Sequence, residues 1–154
     1  MMSWETFIKR YIWDDERTPY LVRVAKLTRR QADYEIFAYT LFLGLLYGLT
    51  AIVALSPAGG GRSELIALYA FSVVCAALIF SIMKSEVAGQ WCAASSLVGA
   101  VIYAATGFGG GLGWIDHVLI AAFLAIWLRY SLRIWTLART YPALTDPAPP
   151  TGMP

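Results

Sequence analysis

The stretch TGFGGGLGWIDH, residues 106–117, is where this sequence concentrates residues that could do chemistry. Glycine-rich loops can cradle phosphates with backbone amides, and an Asp-His pair can hold a metal or move a proton. A dinucleotide fingerprint starting at Gly107 needs glycine where Leu112 stands, and one starting at Gly109 needs it where Trp114 stands. No lysine of Walker type follows. The glycines therefore predict a flexible hairpin between two helices rather than a phosphate cradle. Asp116 and His117 keep two readings, a contact that ties the outer loops together or an outer vestibule open to protons or substrate. Arg62 is the cation expected to pair with Asp116.

Other chemistries fail on inventory. His117 is the only histidine, so a dihaem bundle with paired axial histidines is excluded. Asp116 and His117 supply two zinc ligands where three or four are usual. The two cysteines, Cys75 and Cys92, form no CxxC motif and fall at different depths of neighbouring helices, so they are expected unbridged. No G-x-S-x-G is present, and the middle of the first three apolar segments carries no ionisable group for ion coupling. No cofactor, metal or nucleic-acid partner is expected, and the balance leans away from an enzyme.

The elements that must position these residues follow from composition. The chain of 154 residues is 58% hydrophobic and only 14% charged, where soluble domains carry about 25% charge. Charges are missing over three stretches of about 20 residues, and a fourth apolar segment runs from Trp114 to about Trp135; each is long enough for a helix to cross a hydrocarbon core of ~30 Å. The expected fold is an all-α integral membrane protein, a four-transmembrane-helix bundle with spans near 36–55, 65–83, 87–108 and 114–135. An amino-terminal arm (1–34) precedes the bundle (35–138), and a disordered proline-rich tail (139–154) follows it. No cleavable signal peptide is apparent. Eleven of the twelve Lys and Arg residues fall on the side of the termini, leaving only Arg62 opposite. The positive-inside rule makes that side cytoplasmic. Trp4, Trp13, Trp91, Trp127 and Trp135 fall on the cytoplasmic half, and Trp114 opens the fourth span at the outer face. Compact size and this charge bias point to a bacterial inner membrane.

Within the arm, Trp4, Phe7, Ile8, Tyr11 and Ile12 recur at helical spacing, with Lys9 and Arg10 on the opposite face. This amphipathic helix either lies on the inner leaflet or docks on the ends of the bundle. The acidic run Asp14-Asp15-Glu16 is a solvated turn, lacking the alternation and glycine of a calcium loop. Residues 20–27 read as extended. Thr28 and Gln31 have the spacing of a capping box, which starts a helix running from Arg29 through Leu55. Small residues offer close-approach faces: Gly44/Gly48 in the first span, Ser95/Gly99 in the third, Ala121/Ala125 in the fourth.

Helix length draws attention back to Asp116 and His117. Only the residues from Val118 to Leu128 separate His117 from Arg129, ~16 Å of helix, so the Asp-His pair is expected at the outer edge of the hydrocarbon. Lys9, Arg10, Arg29, Arg30, Arg129 and Arg133 are candidates for anionic lipid headgroups. Arg129 and Arg133, one turn apart, could equally take Glu86 and Glu35. An empty catalytic inventory beside many packing faces points to a small non-catalytic membrane protein, an accessory or assembly subunit with a protein partner in the membrane. The alternative is a small transporter or channel using Arg62, Asp116 and His117. An enzyme acting on lipid or quinone ranks third.

Overall fold

The computed structural model describes residues 23–56, 63–106 and 113–145, which are helical with no strand among them. Four long helices follow one another: α1 (Arg29–Leu55), α2 (Glu64–Met83), α3 (Glu86–Thr106) and α4 (Trp114–Thr140). At 1.5 Å per residue, α2 and α3 are ~30 Å long and α1 and α4 ~40 Å. All four are long and apolar enough to cross a bilayer. Neighbours run antiparallel: Lys84 after α2 meets Asp33 near the start of α1, and Tyr69 near the start of α2 packs on Tyr47. We call the end carrying Arg29, Lys84 and Thr140 proximal, and the end carrying Leu55 and Trp114 distal. The amphipathic segment 3–13 with Lys9 and Arg10, the acidic turn, Arg62, the glycines 107–111 and the tail beyond residue 145 lie outside the described residues.

Local chemistry sets the helix ends. The Thr28 hydroxyl accepts from the Gln31 amide, and the Gln31 side chain accepts from the Thr28 amide, so α1 begins where the capping box predicts. Ser63 caps α2 by accepting from the Ile66 amide. Lys84 ends α2 in the left-handed conformation, at φ 52°, which breaks the helix and aims its side chain back at the Ser81 carbonyl.

Two segments depart from the sequence expectation. Residues 24–26 form a 3-10 turn rather than an extended strand, and Leu27 behind it is buried. At the other end α4 continues to Thr140, and a 3-10 turn over Tyr141–Ala143 follows where a disordered tail was expected from residue 139. Pro142 is tolerated there because the first turn of a helix has no use for its missing amide proton. Tyr141 is buried in the core, and the Arg29 amide donates to the Thr145 carbonyl. The chain thus crosses under the proximal end from both sides.

The core is lined by Ile36, Leu43, Val73, Phe80, Ile134 and Leu137, all fully buried. The outer faces are also apolar: Leu45, Leu65, Ile82, Val87 and Ile126 are each more than two-thirds exposed. An apolar mantle of this extent around a small buried core suits lipid, and not water, as the outer solvent. Trp91, Trp114 and Trp135 are exposed near helix ends, whereas Trp127, expected at the rim, is inside the bundle.

Close packing does not sit where GxxxG spacing suggests. A Cβ added at Gly44 or Gly48 would meet nothing within 4 Å, and Ala121 and Ala125 are exposed. Ser95 and Gly99 do face neighbours: Ser95 is buried, and a Cβ at Gly99 would lie 3.2 Å from Trp127. Among the described glycines the tightest approach belongs to Gly89, where a Cβ would stand 2.7 Å from Ala138 Cβ and 2.9 Å from the Phe80 ring. Gly89 joins α2, α3 and α4 at one point. Gly89→Leu should therefore lower stability by roughly 1–3 kcal/mol or more through overpacking, while Gly44→Ala should be neutral or raise it by up to about 1 kcal/mol. Denaturant titration followed by circular dichroism in detergent checks the ordering.

Candidate functional site

The residues most in need of explanation lie along one stripe of α1. Glu35, Tyr39, Leu43 and Tyr47 recur at i, i+4, i+8 and i+12, so helical geometry lines them up on one face, directed into the bundle. Glu35 has no solvent exposure at all. A lone carboxylate there would be strongly penalised, and Arg133 of α4 removes the penalty. Its Nε donates to Glu35 Oε1 at 2.5 Å and its Nη2 to Oε2 at 3.0 Å, the bidentate fork that suits a carboxylate. Arg133 itself is only 19% exposed along its side chain.

One turn deeper, the Tyr39 hydroxyl donates to the Cys92 carbonyl of α3 at 3.1 Å and lies 2.8 Å from Ser131 Oγ of α4. A phenol has one proton, so with that proton on Cys92 the Ser131 hydroxyl is the donor to Tyr39. A single side chain thereby ties three helices. Two turns on, Tyr47 donates to the Ser95 carbonyl at 2.9 Å, and Ser95 Oγ donates to the Cys92 carbonyl at 2.7 Å. These bonds matter because α1 does not come close to α3 or α4 along the backbone; the intimate pairs are α1–α2, α3–α4 and α2–α3. Polar side chains and aromatic rings bridge the wider seam.

Trp127 fills much of that seam. Its ring packs edge-on against Phe42 and is tilted against Tyr47 and Phe123. Among the described residues its buried indole N–H meets no acceptor with hydrogen-bond geometry. On the outer side of these rings, a groove of about 280 Å³ runs between α1 and α4, lined by Tyr39, Phe42, Phe123, Ile126, Trp127 and Tyr130.

The distal residues singled out by sequence are separated into two tasks. Asp116 is exposed, and its carboxylate accepts from the Gly113 amide at 3.1 Å, capping the start of α4. His117, half-buried, places Nδ1 2.7 Å from the Tyr103 hydroxyl, tying α4 to α3. Their proposed companion Arg62 lies outside the described residues. Among the described residues, no three His, Cys, Asp or Glu side chains gather as metal ligands do. Cys75 and Cys92 are unbridged.

The basic candidates also divide. Arg133 faces Glu35. Arg29 lies over the Tyr141 ring with its guanidinium carbon 5.3 Å from the centroid, and Arg30 is exposed. Glu86 is taken by Arg139, at 3.2 Å, and not by Arg129. Arg129 is exposed on the outside of α4. Sequence reasoning passed over Tyr39 and Tyr47, whose spacing from Glu35 was the available signal.

The chemistry open to this seam is positional: one neutralised ion pair, hydroxyls engaged by carbonyls, and a thiol in an apolar setting. No protein-family model matches the chain, and neither a curated protein nor a solved structure matches it. Tyr39→Phe, which removes the hydroxyl joining three helices, should cost roughly 1–3 kcal/mol, since the Cys92 and Ser131 groups stay buried. Tyr34→Phe, at an exposed position, should be silent. Unfolding titrations of the two variants in the same detergent decide it.

Proposed function

We propose that the chain is a non-catalytic membrane protein that acts as an accessory or assembly subunit, docking through the outer face of α4 against a partner's helix. Arg129 carries this reading. It is exposed ~22 Å along α4 from Trp114, so with Trp114 at the outer face of a ~30 Å core it falls roughly 7 Å inside the inner face, and no acid within the described residues pairs with it. Snorkelling recovers a few ångströms of that depth, and a guanidinium held deeper in acyl chains costs about 2.5 kcal/mol or more. A carboxylate on a neighbouring helix relieves that cost. Ala121 and Ala125 precede Arg129 at successive i, i+4 steps, so the same stripe lets another backbone approach closely before the charges meet.

In this reading the four helices span a bacterial inner membrane with the proximal end cytoplasmic, supported by the eleven basic residues on that side. The transporter alternative has less support, since Asp116 is engaged as a helix cap and His117 with Tyr103.

Gentle detergent extraction followed by native-size analysis tests the proposal. The expected result is a particle larger than one chain, containing a second polypeptide. Arg129→Leu and Ala125→Phe should each release the chain as a monomer with unchanged helix content. A lone monomer from the wild type, or assembly indifferent to Arg129→Leu, contradicts it.

A further inference from the structure

We infer that the groove between α1 and α4 binds the ring of an uncharged, lipid-borne quinone, one ring carbonyl accepting a hydrogen bond from the Trp127 indole. This rests on the reading that the helices span a bilayer. Helical spacing builds the groove: Tyr39 and Phe42 share a face of α1, and Phe123, Ile126, Trp127 and Tyr130 recur at i, i+3, i+4 and i+7 on α4. Tyr39 and Trp127 are buried and form its back, whereas Phe42, Phe123 and Ile126 are exposed and form a mouth on the outer surface. A ligand reaches it sideways, from lipid.

Three features select the occupant. The first is a donor in want of an acceptor. Trp127 is only 8% exposed, and among the described residues its N–H meets no acceptor with hydrogen-bond geometry. An indole only donates, so a carbonyl in the groove is the group that completes it. The second is shape and electronics. The walls are mostly aromatic, and the electron-rich faces of Trp and Tyr attract a flat ring that its own carbonyls make electron-poor. At about 280 Å³ the groove stands near the lower bound of ligand pockets, roughly 300 Å³, which suits a ring and leaves an isoprenoid tail outside among the lipid chains. The third is depth. Trp127 lies ~20 Å along α4 from Trp114, so with Trp114 at the outer face of a ~30 Å core the indole is ~10 Å inside the inner face. Phospholipid ester carbonyls stay at the interface with their headgroups, and acyl chains carry no acceptor. A quinone has no charge and brings its carbonyls into the hydrocarbon.

Equilibrium binding to the full chain in mild detergent, measured in excess of empty micelles, tests this with menadione and, as a ring without acceptors, methylnaphthalene. Wild type should bind menadione saturably, one per chain, roughly tenfold more tightly than methylnaphthalene, the effect of one hydrogen bond to a buried donor. The infrared carbonyl stretch of bound menadione should move to lower frequency. Trp127→Phe keeps an aromatic ring without the donor, so the preference should fall to within about twofold and the carbonyl shift should vanish. Ala38→Leu narrows the groove from α1 and leaves the donor in place, and it should weaken both ligands. Equal binding of the two ligands by wild type, a preference or carbonyl shift that survives Trp127→Phe, or undiminished binding in Ala38→Leu each overturns the site. Release of the protein from membranes by alkaline carbonate would instead defeat the bilayer reading itself, and this site with it.

Discussion

A carboxylate shut away from solvent inside an apolar bundle is tolerable only beside a cation, and for Glu35 that cation is Arg133. The pair fixes more than its own charges. Because α1 and α4 stay apart along their backbones, the fork between Glu35 and Arg133 sets the register in which α4 faces α1. One turn further, that register brings Ser131 to Tyr39, and further along it brings Trp127 between Phe42 and Tyr47. A shift of α4 by one residue would rotate each of these groups by roughly 100° and strand a buried carboxylate.

The inside and the outside of the bundle obey different rules. Inside, polar side chains reach backbone carbonyls of other helices, and Gly89 leaves no room for a Cβ beside Ala138 and Phe80. Outside, small residues and charges remain on the surface: Gly44 opens onto a groove, and Ala121, Ala125 and Arg129 form an exposed stripe. Lipid gives helices no hydrophobic reason to associate, so faces of this kind are where neighbours, protein or lipid, find purchase.

Much of the architecture was legible in the sequence because the relevant signals are local. Three charge-free runs and a fourth apolar segment correspond to four helices, and Thr28 with Gln31 marks the first residue of α1. The site was less legible because it depends on register between helices. Gly44 and Gly48 look like a packing face by spacing, yet Gly89, with no motif around it, is the true close approach. That depends on Phe80 and Ala138, distant in sequence, converging there. The end of α4 was misjudged for a similar reason. Residues near 139 look like a polar tail, but Arg139 is held by Glu86 and lies 4.9 Å from the Trp135 ring centroid, and Tyr141 is anchored by Asp33. Asp116 and His117 drew attention as adjacent residues, whereas successive positions on a helix point about 100° apart and serve different partners.

A double-mutant cycle on Glu35 and Arg133 tests the central claim most directly. Glu35→Met and Arg133→Met, unfolded in detergent by denaturant, should each lose roughly 3–5 kcal/mol by leaving the other charge buried without its partner. The pair replaced together should recover most of that loss, because two apolar side chains of similar volume fill the space with no charge to desolvate. Losses that simply add in the double variant would contradict the account, since they would mean that the two residues act independently and that the register of α4 on α1 is set elsewhere.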